Sequence, residues 1–250
     1  MITTIFIFTC VGLTMLLLTP IGLVTALLGL VGFRKLMPVL MYRIAQGWAR
    51  LTIKIIGCKL TVVGRENVPR TGGVCFVSNH GSIVDILMLL AYAGRPIGFV
   101  AKKELLLIPV LNMWVIVLGG LFIDRKSHRK AHKTIATGVA RLKAGGGMII
   151  FPEGHRSRGK GLLPFHPGAF KLATQSGATI VPVALAGTYD IFERNYRAYA
   201  GPVRITFCPP VNTSEIPATD RKQILSDRVY AVIKEALDVG TGEQDVGSRE

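Results

Sequence analysis

From Ile2 to Phe33 the chain carries no charged residue. A helix needs about 20 apolar residues to cross a bilayer, and this run exceeds that length. Pro20 and Gly22 fall inside it, so the pattern fits one kinked helix or a shallow hairpin that enters and leaves. Between residues 36 and 56 the period changes. Leu40, Ile44, Trp48, Leu51 and Ile55 recur at spacings of three and four, with Arg43, Arg50 and Lys54 elsewhere on the wheel. Two readings fit that amphipathic stripe, a basic helix lying on a membrane surface and an ordinary core-packing helix.

After residue 59 short β-type runs alternate with helical stretches. Strands are predicted at Leu60–Val63, Val74–Val77, Gly98–Ala101, Leu121–Ile123, Met148–Phe151, Thr179–Ala184 and Val203–Phe207, and helices near 83–93, 103–118, 128–144, 168–176 and 220–238. This alternation predicts an α/β fold with a mixed, largely parallel sheet flanked by helices. The last helix carries Ile224, Val229, Val232, Ile233 and Leu237 on one face. The chain thus divides into a hydrophobic N-terminal membrane anchor with its basic amphipathic helix (1–58), an α/β domain (59–239) and a polar, flexible tail (240–250).

Composition adds a direction to this plan. With 30 Lys and Arg against 15 Asp and Glu, the formal net charge is +15. Such a chain favours anionic partners. The aromatic-rich basic signatures of RNA-binding modules are absent, so lipid headgroups or phosphorylated substrates rank above nucleic acid. Arg34, Lys35, Arg43, Arg50, Lys54 and Lys59 follow the apolar run without an intervening acid. That excess places the following domain on the cytoplasmic side of the membrane. A secretory leader fits poorly, because MITT offers no basic n-region. Cys10, Cys58, Cys75 and Cys208 form no C-x-x-C, which argues against a disulfide framework or a zinc site and fits a reducing compartment.

Chemistry concentrates where strands stop. VCFVSNHGSIVD (Val74–Asp85) runs from a buried-looking strand into Asn79–His80, with Asp85 five residues after the histidine. A turn at Gly81 can fold that carboxylate back onto the imidazole, making a general base with a fixed tautomer. Ser82 reads as a helix cap. Gly154–Gly161 (GHRSRGKG) matches seven of eight positions of the phosphate-cradling G-x-x-x-x-G-K-[ST], but Gly161 stands where the magnesium-binding hydroxyl belongs. Pro164 and Pro167 then delay any helix, which argues against an NTPase. No G-x-S-x-G elbow occurs, and His128 and His132 lie among Lys126, Arg129, Lys130 and Lys133, which would repel a metal ion. Lys102 and Lys103, after the third strand, are further phosphate candidates, with solvated surface as the plainer reading.

Four blocks in order resemble the glycerolipid acyltransferase family, in particular the 1-acyl-sn-glycerol-3-phosphate acyltransferases of bacterial membranes. NHGSIVD (Asn79–Asp85) resembles its N-H-x-x-x-x-D block, GGLFIDR (Gly119–Arg125) its second block and FPEGHRSR (Phe151–Arg158) its F-P-E-G-[ST]-R-S block. IVPVAL (Ile180–Leu185) resembles the fourth, and FHPGAFKLA (Phe165–Ala173) the segment between the last two. The resemblance implies a glycerol-3-phosphate acyltransferase-like fold. It also implies transfer of an acyl group from acyl-CoA or acyl carrier protein to lysophosphatidic acid, giving phosphatidic acid, with no metal or other cofactor. His80, oriented by Asp85, would be the base; Arg125, Arg156 and Arg158 would bind phosphate, and Glu153 and Gly154 would shape the pocket. The expected location is the cytoplasmic face of a bacterial inner membrane, in contact with its phospholipids. His155 replaces the family's small hydroxyl residue, and His166-Pro167 stands where a more basic pair is common. Both departures bear on the acceptor headgroup, which leaves another lyso-lipid as an alternative acceptor and a non-catalytic lipid-phosphate or nucleotide-binding protein as the alternative class.

Overall fold

A computed structural model of the chain describes residues 2–30, 36–124 and 126–246. Two helices come first, α1 (Ile2–Leu30) and α2 (Leu36–Ile56). Then follow β1 (Lys59–Val63), β2 (Val74–Ser78), α3 (Val84–Tyr92), β3 (Ile97–Lys102), α4 (Leu111–Val117), β4 (Leu121–Ile123), α5 (His128–Lys143) and β5 (Gly147–Ile150). The chain closes with α6 (Lys171–Ser176), β6 (Thr179–Ala186), α7 (Thr188–Ile191), β7 (Pro202–Phe207) and α8 (Arg221–Val246). The seven strands form one sheet in the order β1-β7-β6-β2-β5-β3-β4. Every pairing is parallel except β6 with β7, so the sheet is mixed and largely parallel, as the alternating pattern predicts.

Both faces of the sheet are covered, which is why the central strands read as unbroken apolar runs. Along β2, Val74 and Phe76 face one core and Cys75 and Val77 the other, following the two-residue period of a strand. The first core is closed by α2, α3 and Trp114 of α4; the second by α5, α6 and α8, through Leu142, Leu172, Leu225, Val229 and Ile233.

The helical readings need four adjustments. The N-terminal run is one helix that continues through Pro20 and packs on α2, where Trp48 Nε1 donates to Thr14 Oγ1 at 3.0 Å. Its outward side is bare hydrocarbon, with Phe6, Leu13, Leu16, Leu17 and Leu27 all exposed. In α2 the buried stripe is Met37, Met41, Ala45, Ala49 and Ile53, while Leu40, Leu51 and Ile55 face outward. Small alanines let α2 approach α3 closely, with Met41, Tyr42 and Ile53 filling the space around them. Predicted helix 103–118 divides into a 3₁₀ turn (Lys103–Leu107) and α4, because Pro109 lacks the amide to continue and Val110 takes φ 65°. Finally, α8 extends to Val246, so most of the segment read as a polar tail continues the helix; residues 247–250 lie outside the described residues.

Gly98 in β3 marks a close approach. A Cβ there would stand 2.2 Å from the carbonyl oxygen of Gly119, two residues before β4. Gly98→Ala is expected to cost about 1–3 kcal/mol. A thermal melt would register this as a fall of roughly 2–4 °C per kcal/mol for a chain of this size.

Candidate active site

Strands β2, β5, β3 and β4 are consecutive and parallel, so their carboxyl ends share one edge of the sheet. An open α/β sheet forms its ligand crevice at such an edge. Here the ends deliver Asn79–His80, Phe151–Gly154, Lys102 and Asp124 side by side. The result is a cleft of about 980 Å³ lined by His80, Lys102, Gly154, Arg156, Arg158 and Lys160, with an apolar wall that includes Phe99, Leu105, Ile123 and Ile135.

The histidine is set by a compact turn between β2 and α3. Asn79 reaches sideways, donating Nδ2–H to Leu185 O at 2.9 Å and accepting Leu185 N–H at 2.8 Å, which ties the end of β2 to β6. Helix α3 starts only at Val84, leaving residues 79–82 free to turn. Asp85 then folds back. Its Oδ2 lies 2.8 Å from His80 Nδ1 and accepts Ser82 N–H at 2.8 Å. The second bond resembles half of a capping box, in which the last residue of S-x-x-D reaches back to the amide of the first. Asp85 is fully buried, and the His80 side chain retains 15% exposure. The imidazole stacks on Phe151 with centroids 4.0 Å apart. With Nδ1–H donated to Asp85, Nε2 is the nitrogen available for proton transfer.

The loop after β5 clamps the backbone of His80 on both sides. Glu153 Oε1 accepts His80 N–H at 2.7 Å, and Ser157 N–H donates to His80 O at 2.7 Å. Gly154 sits at φ 75°, a conformation that favours glycine. Glu153 is buried beneath the cleft rather than lining it. Burial pushes its pKa up to about 7; the His80 and Leu163 amides pull against this, and the Asp85 charge adds to it.

The basic residues separate on inspection. Lys102 and Arg158 are exposed at the cleft, and Arg156 is half-buried there with one guanidinium nitrogen 2.9 Å from Glu193 Oε1. Lys103 pairs with Asp124 at 2.8 Å. Arg125 lies outside the described residues. Both histidines that depart from the expected motif, His155 and His166, are exposed and border the cleft. His128 and His132 are exposed on α5, and no cluster of metal-ligating side chains occurs among the described residues. Glu193, which follows α7, is the residue the sequence did not signal. It accepts from Ser82 Oγ–H and from Ile83 N–H (2.7 Å), although no motif surrounds it.

Because Glu153 folds with a pKa near 7 against an ordinary 4.5, the folded state holds its proton more tightly. The resulting stability is complete below pH 4.5 and is lost as pH rises through about 7. Glu153→Gln removes this dependence. Its melting temperature relative to the parent protein should therefore rise between pH 5 and pH 8, as read by paired thermal melts.

The comparisons agree with this layout. The acyltransferase family model matches residues 59–186. The 1-acyl-sn-glycerol-3-phosphate acyltransferase of Escherichia coli (strain K12) is 38% identical over 162 residues, 64% of this chain and 66% of that one. The protein of the same name from Borreliella burgdorferi is 34% identical over 146 residues, 58% of each chain. This chain therefore spans somewhat under two thirds of the length of these curated relatives. The fold is that of the crystal structure of the 1-acyl-sn-glycerophosphate (LPA) acyltransferase, PlsC, from Thermotoga maritima, with a TM-score of 0.84 over 96% of this chain and 95% of that one, at 23% identity. Since the matched span runs from β1 to the end of β6 and encloses the His80–Asp85 turn and the walls of its cleft, this chain belongs to the acyltransferase family.

Proposed function

We propose that this protein transfers a fatty acyl group from a thioester donor to the free hydroxyl of 1-acyl-glycerol-3-phosphate, giving phosphatidic acid. The observation that carries the reading is the His80–Asp85 pair, 2.8 Å apart, beside a cleft lined by both cations and hydrocarbon. An acceptor with a phosphate and an acyl chain calls for both. The names of the curated relatives support the same substrate.

Asp85 holds His80 with Nδ1 protonated and stabilises the imidazolium formed when Nε2 takes the acceptor hydroxyl's proton. The hydroxyl oxygen attacks the thioester carbonyl, a C–O bond forms, and the C–S bond breaks. The departing thiolate recovers the proton and leaves as a thiol. Ser82 is a poor nucleophile for an acyl-enzyme, since its hydroxyl is spent on Glu193 and on the Val84 amide. Lys102, Arg156 and Arg158 would hold the phosphate through charge-assisted hydrogen bonds. Arg125, at the end of the block after β4, is assigned the same role from its sequence motif.

The protein would work at a membrane. Thr4–Thr25 is the one stretch among the described residues long and apolar enough to cross a bilayer, and the outward residues of α1 and α2 extend that hydrocarbon surface. The Lys and Arg excess after α1 favours the cytoplasmic face, where a lipid acceptor would enter laterally.

The decisive assay follows thiol release from purified protein given lysophosphatidate with acyl-CoA or with acyl carrier protein. His80→Ala and Asp85→Asn should each lower turnover about 10²–10⁴-fold without shifting the melting temperature much. Near-normal turnover in His80→Ala would remove the mechanism and favour a non-catalytic phosphate-binding protein. Parallel reactions with other lysophospholipids test whether exposed His155 redirects acceptor choice.

A further inference from the structure

We infer that Glu193 is a positioning residue that couples the histidine base to the phosphate-holding arginine, a role that rests on the acyl-transfer reading above. Glu193 lies seven residues beyond the span matched by the family model, on the segment after α7. Its side chain is 3% exposed, so its charge is removed from water and needs partners. Three partners are present. Ser82 Oγ–H and Ile83 N–H bind it from the turn just before α3, and Arg156 binds it at 2.9 Å from the wall of the cleft.

These contacts form two limbs on one carboxylate. The first limb fixes the turn that places Ser82 N–H on Asp85 Oδ2, and the same oxygen receives His80 Nδ1–H. The orientation of the base is therefore set partly by Glu193, acting through Ser82 and Asp85. The second limb takes one guanidinium nitrogen of Arg156, while the residue still borders the cleft. A flexible arginine so anchored presents its remaining donors along a fixed direction, which lowers the entropy lost when it grips an anion. Base alignment and phosphate recognition thus share one support.

Kinetics can resolve the limbs, because each neighbour belongs to one of them. Turnover is followed by thiol release with lysophosphatidate and the donor that the parent protein uses, with a thermal melt on every variant. Arg156→Ala should raise KM for lysophosphatidate about tenfold, the loss expected for one charge-assisted hydrogen bond, with kcat nearly unchanged. Ser82→Ala should lower kcat about tenfold with the acceptor KM nearly unchanged. Glu193→Gln keeps the shape but removes the charge and one of the two acceptor oxygens that Ser82, Ile83 and Arg156 share. It should do both, leave the donor KM alone, and cause no further rise in acceptor KM when combined with Arg156→Ala.

Parent-like kinetics in Glu193→Gln, or effects on acceptor KM that simply add in the double variant, would overturn the coupling while leaving the acyltransferase reading standing. No thiol release by the parent protein with any donor would overturn the reading and the coupling together. Should Glu193→Gln fail to fold, the kcat-only and KM-only behaviour of Ser82→Ala and Arg156→Ala carries the test, and loss of that split refutes the proposal.

Discussion

Buried N–H groups must find acceptors, and the turn between β2 and α3 has several that neither the sheet ladder nor the helix can supply. Three carboxylates from three parts of the chain meet this need. Glu153 takes the amide of His80, Asp85 that of Ser82, and Glu193 that of Ile83. A single backbone turn is thereby fixed by carboxyl groups from three directions, and the imidazole it carries inherits that fixed orientation. The rest of the site follows from this constraint. The Asp85 oxygen that faces His80 is held in place by the Ser82 amide, and Arg156 is anchored at the cleft because Glu193 needs a counter-charge.

Placing three acidic side chains in a nearly dry region is costly, and the molecule spreads the cost unevenly. Glu193 has a guanidinium at 2.9 Å in addition to its hydrogen bonds. Asp85 has the imidazole at 2.8 Å and the Ser82 amide. Glu153 has amides alone, and burial outweighs them, so its carboxyl holds a proton up to about pH 7. Keeping one of the three close to neutrality limits repulsion around the histidine. The cations, by contrast, stay where water or an anion can reach them. Lys102 and Arg158 are exposed at the cleft, and the hydrocarbon surface of α1 continues the apolar character of the molecule outward.

The sheet explains why these groups meet. Parallel strands β2, β5 and β3 end together, so loops far apart in the chain emerge at one edge. Two-sided burial keeps β2 and β5 buried along their whole length, so these central strands are visible as unbroken hydrophobic runs, whereas β1 and β7 alternate between exposed and covered positions. The helices were less legible. Residue size misled in α2, where close approach to α3 selected Ala45 and Ala49 for the interior while Leu51 and Ile55 face outward. At 103–118, Pro109 interrupted what the periodicity suggested was one helix.

By itself, the sequence determined what depends on neighbours along the chain: the strand pattern, the apolar N-terminal run, the five-residue spacing of His80 and Asp85 around a glycine, and the basic loop after β5. Tertiary structure decided what depends on partners without a fixed spacing. It buried Glu153 beneath the histidine and tied Lys103 to Asp124. It also brought Glu193 back to Ile83 from 110 residues downstream. The physical reason is that hydrophobic period and turn chemistry are written locally. The pairing of a buried carboxylate with amides and a guanidinium is instead fixed only when β6 lies beside β2 and α7 turns back across the strand ends.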